Sequence, residues 1–393
     1  MATGVLITDG HWRKSLAAVR ALGRHRIPVT VGESTWLATA AFSRYCERRI
    51  TYPSPLLETE HFVDFLHAYL RQHPTRMLLT MEDATIGLAA RHRRTLSALA
   101  YLPVVSSQRL RTAQRKDKVL ALANDLGIPT PRTWVVKHPG RLQTVLDQIT
   151  FPVVIKPRIG SGAVGMAYVD KPDQLPRQYA QIHGRFQSPI IQELIPRQGP
   201  GLGASFLMDE QSRVKAVFMH QRLREYPVSG GASTLRRSIW RDDIYEMGAR
   251  LLKAMNWFGV ANVEFKLDPR DNTPKLMEVN PRFWGSLALA IHAGVNFPQL
   301  LYRMATGRSF SSVTRYRLGI QCRWMLPGDI LHYIHNRRRH RLVPKFFEFR
   351  QPGLYYDILS RNDPLPVLGR LLMPLTLLYD KDMKYRLHNR QGN

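Results

Sequence analysis

The spacing of apolar residues changes period several times along the chain. Residues 4–8 (G-V-L-I-T) form a short apolar run of strand type. Leu16, Val19 and Leu22 then recur at helical spacing, Gly23 ends that helix, and P-V-T-V from Pro28 starts a second strand. This is a βαβ opening of an α/β unit. A helix over 62–70, a strand over 77–80 and a helix over 86–99 continue it. Residues 112–126 predict a helix ended by Gly127, after which I-P-T-P leads away in extended form. Strand patterns dominate next, at 133–136, 151–156, 166–169 and 189–195. Residues 197–203 read as a glycine-rich link, and 205–208 with 214–219 as a hairpin. Residues 220–234 read as a polar loop, 243–255 as a helix and 283–293 as a helix of small residues. Residues 319–328 predict a strand able to rejoin the main sheet.

The sharpest alternation lies at 259–282, G-V-A-N-V-E-F-K-L-D-P-R-D-N-T-P-K-L-M-E-V-N-P-R. Val263, Phe265 and Leu267 alternate with Glu264, Lys266 and Asp268, and residues 269–273 supply turn formers. The return run alternates again and puts Glu278 and Asn280 on one face. A loop symmetric about Asp271 sets Glu264 opposite Glu278. Facing carboxylates repel, and a cation between them is the simplest resolution. Two carboxylates and an amide oxygen are hard ligands suited to magnesium carrying phosphates.

A second signal is F-P-V-V-I-K-P-R-I-G-S-G-A-V-G-M-A-Y-V-D at 151–170. Gly160, Gly162 and Gly165 fit G-x-G-x-x-G, but a strand follows where a dinucleotide fold needs a helix. This is a glycine loop between strands with Lys156 at the end of the first. Free backbone N–H groups there can close over phosphates, and a lysine can neutralise them. At the first strand end, Asp9-Gly10 sits where α/β sheets bind ligands. The dinucleotide fingerprint is missing there, which argues against NAD. Glu82 and Asp83 read either as ligands or as an acid pair at a helix N-terminus. Arg222 and Arg224 read either as anion contacts or as solvated arginines.

Composition narrows this picture. The length suits two to four domains. Two distant cysteines, Cys46 and Cys322, exclude a disulfide framework and a cysteine-only zinc site, which fits a reducing cytoplasm. The N-terminus reads as a strand, without the charged lead and apolar core of a signal peptide. A net charge of +27 favours phosphates, anionic substrates or an anionic surface. The basic knot at 337–341 lacks interleaved aromatics, so no specific nucleic-acid binding is expected. The apolar run at 365–379 is too short and proline-broken to span a membrane. Beside basic residues it suits either peripheral contact with an anionic membrane or docking on the protein body or a second subunit of a homodimer.

Five segments, taken in order and spacing, resemble the ATP-grasp superfamily in its carboxylate–amine ligase branch. They are K-D-K-V-L-A-L-A-N-D-L-G-I-P-T-P, V-I-K-P-R-I-G-S-G-A-V-G, I-I-Q-E-L-I-P, G-V-A-N-V-E-F and M-E-V-N-P-R-F-W-G-S. The likeness covers about residues 4–308, and is similar, more distantly, to biotin carboxylase and the large subunit of carbamoyl phosphate synthetase. It implies a mixed α/β and α+β fold: an N-terminal α/β domain (1–110), a small lobe with the glycine loop (111–190), a large lobe with the metal hairpin (191–310) and a basic C-terminal extension (311–393), with nucleotide between antiparallel sheets. It implies ATP and Mg2+ (or Mn2+) as cofactors. Lys118 and Lys156 would hold phosphates under the loop Gly160, Ser161, Gly162 and Gly165. Gln192, Glu193, Leu194 and Ile195 would meet adenine. Glu264, Glu278 and Asn280 would bind metal, and Arg282 would meet the γ-phosphate or a substrate carboxylate. The S-G-G-A-S-T loop resembles the cover of an acceptor site, which makes Arg222 and Arg224 substrate candidates. The family's acid after the hinge, a ribose contact, is absent from R-Q-G-P-G-L-G-A, and Glu193 is the stand-in. The implied reaction makes an amide through an acyl phosphate, releasing ADP and phosphate, from a carboxylate and an amine that the sequence does not name. The alternative is an ATP-binding regulatory protein without turnover. A protein-kinase reading fails for want of H-R-D-x-x-x-x-N and D-F-G.

Overall fold

The computed structural model describes residues 4–136, 138–160, 164–380, 382 and 384. Its strands form three sheets. The first holds β1 (Val5–Ile7), β2 (Val29–Glu33), β3 (Arg48–Thr51) and β4 (Met77–Leu79), all parallel, in the order β3-β2-β1-β4. Parallel neighbours need crossovers, and the helix Arg13–Gly23 supplies one, burying Leu16, Val19 and Leu22. Because β1 is covered on both faces, it is a continuous apolar run rather than an alternating one. Two expected helices are each broken in two. The span 86–99 becomes Asp83–Arg91 and Arg93–Ser97, and the span 112–126 becomes Ser107–Gln114 and Lys116–Asp125. At the second break Arg115 is extended, with φ −93° and ψ 107°, and its guanidinium holds Asp117 at 2.6 Å.

The second sheet holds β5 (Thr133–Val135), β6 (Val153–Lys156), β7 (Ala167–Val169) and β8 (Ile190–Glu193), antiparallel, in the order β5-β8-β6-β7. The helix Leu175–Phe186 covers it with Leu175, Tyr179 and Ile182, and this lobe has a hydrophobic core of its own.

The third sheet holds β9 (Gly201–Met208), β10 (Val214–Tyr226), β11 (Ala232–Ile239), β12 (Gly259–Asp268), β13 (Thr273–Asn280), β14 (Gln321–Arg323) and β15 (Leu354–Tyr356), in the order β13-β12-β9-β10-β11-β14-β15. The expected polar loop at 220–234 is instead mostly strand, since β10 runs to Tyr226 and β11 begins at Ala232. Its polar residues hide a strand because ion pairs and a cleft, not apolar packing, receive them. β14 does rejoin this sheet, beside β11. Two large cores run between the first and third sheets, so these two form one body. The C-terminal extension, as far as it is described, docks on that body. Its helix Pro366–Tyr379 lies on residues 39–42, and Gly369 is needed there, because a Cβ would lie 2.6 Å from the Phe42 ring.

Candidate functional site

The β12–β13 turn is held by Asp268, which accepts from the Arg270 backbone N–H at 3.1 Å and faces Lys275 Nζ at 3.0 Å. From that turn, residues pair regularly from Asp268–Thr273 to Phe265–Leu276. Met277 is then bulged out, and beyond it Glu264 faces Glu278 and Asn262 faces Asn280. The two acids face each other as expected, but through this bulge. Regular pairing from the same turn would set Glu264 against Met277 and send Glu278 into the core.

Side chains resolve the repulsion between the acids. Asn280 Nδ2 donates to Glu264 Oε1 at 3.1 Å and to Glu278 Oε1 at 3.2 Å, and Asn262 Nδ2 donates to Glu264 Oε1 at 3.1 Å. Arg222 pairs with Glu264, and with Glu225 at 3.2 Å, while Lys116 Nζ lies 3.0 Å from Glu278 Oε2. Burial pushes the Glu264 carboxyl up against the pull of Arg222. Burial pushes Glu278 up as well, but Lys116, Asn280 and Lys156 together outweigh it and the net direction is down. Asn280 Nδ2 thus sits where one oxygen of each carboxylate converges. A cation at that point would be met by both acids, and by the amide oxygen after a simple flip of the Asn280 side chain. The donor set fits a hard divalent ion. Among the described residues no group of three or more His, Cys, Asp or Glu offers an alternative metal site.

Two lysines face this hairpin, Lys156 from the small lobe and Lys116 from the helix Lys116–Asp125, which packs on β13. Lys156, at the end of β6, donates to Gln192 Oε1 at 2.7 Å. Burial lowers its pKa to about 8; Glu278 opposes that and Lys116 adds to it. Lys116 Nζ also donates to Gly160 O at 2.7 Å, so one lysine joins the glycine loop to the hairpin. Gly160 has φ +138° and Gly165 φ +71°, and a Cβ on Gly165 would lie 2.3 Å from the Phe186 ring, so both demand glycine. Ser161 and Gly162 lie outside the described residues.

The remaining expected residues divide. Glu193, Leu194 and Ile195 line the cleft, with Glu193 tied to Arg270 at 2.5 Å, whereas the Gln192 amide points to Lys156 and Thr133. Arg282 lines the cleft and its Nε donates to Asp83 Oδ2 at 2.9 Å, which makes Asp83 a partner at the start of a helix. Lys118 is exposed and lines no part of the cleft. Two positions on a helix are about 200° apart, and Lys116 takes the inward side. Arg224 is also corrected. The strand bulges between Arg222 and Arg224, and this turns Arg224 away from the cleft onto buried Asp329 at 2.9 Å, where Arg323 also pairs at 2.5 Å.

Residues from the first βα turn complete the cleft, and local pattern does not single them out. Lys14 Nζ lies 2.6 Å from Glu82 and donates to Phe283 O at 3.1 Å, and burial lowers its pKa to about 8. Arg13 lies over the Trp324 ring at 4.1 Å. The available signal was Asp9-Gly10, which marks this strand end. The whole cleft encloses about 580 Å³ between the three sheets, with Ser229–Ser233 of the β10–β11 tip along one side.

Comparison with known proteins finds likenesses of sequence and of fold. The family model described as "ATP-grasp in the biosynthetic pathway with Ter operon" matches residues 208–326. The arginine-specific large chain of carbamoyl phosphate synthase from Geobacillus stearothermophilus is 27% identical over 203 residues, covering 49% of this chain and 19% of the relative. D-aspartate ligase from Enterococcus faecium is 22% identical over 241 residues, covering 57% of each. The chain therefore spans about a fifth and somewhat over half of these relatives' lengths. Among solved structures, biotin carboxylase from Campylobacter jejuni, in a βγ-ATP complex, superposes with a TM-score of 0.69 at 14% identity, over 82% of this chain and 74% of that one, which is a likeness of fold.

Proposed function

We propose, from the premise that this chain belongs to the ATP-grasp superfamily and falls with its carboxylate–amine ligases, that it joins a carboxylate to an amine with ATP. One observation carries the reading. Lys156 of the small lobe and Lys116, on a helix packed against β13 of the large lobe, converge with Glu264, Glu278 and Asn280 and with Arg222 and Arg282 in one cleft. That is the set of charges phosphoryl transfer needs, because its catalysis is alignment and neutralisation of phosphoryl oxygens.

In this reading Lys116 and Lys156 hold the phosphates beneath the Gly160–Gly165 loop. The Glu193, Leu194 and Ile195 backbone borders the adenine, and Glu193 meets the ribose. Glu264, Glu278 and Asn280 hold Mg2+, for which Mn2+ can substitute, and the ion when bound neutralises phosphate charge that the lysines do not reach. Arg282 orients the substrate carboxylate. A carboxylate oxygen bonds to the γ-phosphorus, the bond from phosphorus to the β-γ bridging oxygen breaks, and ADP leaves. The amine then attacks the acyl carbon and phosphate departs. His220 lines the cleft, but burial and then Arg222 hold its pKa well below the ordinary imidazole range, which makes it a weak acceptor for the amine proton. Closure of the cleft keeps water from the acyl phosphate.

D-aspartate ligase is by name an amino-acid ligase, so amino acids are the first substrates to try. The test is phosphate release by the purified chain across a matrix of carboxylates and amines. Release of ADP and phosphate that needs one member of each class supports the ligase. Nucleotide binding with no productive pair favours the regulatory alternative.

A further inference from the structure

The helix Pro366–Tyr379 has two faces with opposite surroundings. Its inner face carries buried Gly369 and Thr376, and it puts Arg370 and Met373 into the wall of the cleft. Its outer face carries Leu368, Leu371, Leu375 and Leu378, spaced by three or four residues and so aligned in one stripe. All four are exposed, Leu371 by 59% and Leu378 by 75%. An ordinary docked helix turns its leucines inward; this one turns four of its six out. The stripe continues past the helix. Tyr379 is half exposed, its hydroxyl lies 2.9 Å from Thr35 Oγ1, and the neighbouring Trp36 is 62% exposed. A contiguous exposed apolar surface of this kind marks an interaction site.

Charge indicates what covers it. Exposed Arg44 and Arg49 stand at the start of the helix. The Arg44 backbone N–H donates to Asp363 at 2.8 Å, and Arg49 lies over the Phe42 ring that packs on Gly369. At the other end exposed Lys384 donates to Leu378 O at 3.0 Å. Residues 385–393, Y-R-L-H-N-R-Q-G-N, add two arginines and no acid. The whole chain carries +27. An apolar stripe edged by Trp and Tyr and flanked by cations matches the interface of an anionic bilayer.

We propose that the outer face of this helix docks on an anionic lipid bilayer while its inner face walls the cleft. The cleft then works at a membrane surface, and Arg370 is set by a helix that the bilayer holds. Among the described residues no helix is long and apolar enough to cross a membrane, and the docking proposed for this one is peripheral.

The test is co-sedimentation of the full chain with vesicles of phosphatidylglycerol and phosphatidylcholine against phosphatidylcholine alone, without nucleotide, so that the result is independent of the ligase reading. The wild type sediments with the anionic vesicles only, and added salt weakens binding. L371Q/L375Q, and separately L378Q, lower partitioning by roughly tenfold or more while circular dichroism and the unfolding midpoint stay as in the wild type. Wild-type chain left in the supernatant overturns the proposal, as does equal binding by both folded variants. A dimer in sedimentation velocity that these variants dissociate, with no vesicle binding, overturns it in favour of a second copy.

Discussion

The two lobes that meet at the cleft hold their charged residues in different ways. In the large lobe, Glu264 and Glu278 are matched before any ligand arrives, by Arg222, Lys116 and two amide groups, on a sheet continuous with the molecule's main cores. In the small lobe, Lys156 is half-buried with one neutral hydrogen-bond partner, Gln192, on a sheet with a separate core. One side is a compensated ion cluster; the other is a cation whose charged form is disfavoured. The difference suggests a division of labour. In the proposed reading the hairpin would fix where a metal and reacting phosphate belong, and the small lobe would gain most when phosphate charge comes to it.

The comparison can be broken in four ways. Largest is E278Q, which removes a ligand and a charge without removing volume. ATP turnover should fall about a thousandfold with thermal unfolding nearly unchanged; turnover within a few-fold of wild type in a kinetic assay would end the metal assignment. Next, R224M should lower stability by about 3 kcal/mol in urea unfolding, since it removes one cation from buried Asp329, while R222M should act on turnover instead. Equal effects in both assays would undo their separation by the bulge.

Third, K116M should weaken ATP binding by about ten- to a hundredfold in calorimetry, the range for a hydrogen bond to a charged group, and K118M by less than about twofold. A reversed order would restore Lys118 to the phosphates. Smallest is a pH effect. Free Lys156 loses its proton above about pH 8, whereas bound phosphate favours the protonated form. Binding above that pH must therefore take up a proton, and affinity falls by at most about tenfold per pH unit as pH rises. K156R should flatten that profile. A wild-type affinity constant from pH 7 to 10 would show that Lys156 does not meet the phosphates.

Much of this was legible in the chain itself. Alternation around Glu264, and glycines following a strand that ends in Lys156, are local patterns with one good structural solution each. The pairing of Glu264 with Glu278, by contrast, rests on the bulge at Met277, which alternation does not announce. The parts that were not legible depend on distant partners. Lys116 and Lys118 are equally polar, and only the break at Arg115 decides which turns inward. Arg222 and Arg224 share a strand face until a bulge separates them. Residues 220–234 lack an apolar rhythm because ion pairs bury them. Lys14 owes its place to Glu82 and Phe283, far along the chain.

Met277 has one further consequence. A strand ordinarily tolerates no deletion, because losing one residue turns every later side chain to the opposite face. At the bulge that rule inverts. Removing Met277 would make the ladder regular and leave Glu278, Val279 and Asn280 facing as they do now. Only a thioether would vanish from the cleft wall. The hairpin thus has a point within its ladder where descendants of one ancestral gene can differ in length while keeping Glu264, Glu278 and Asn280 on one face.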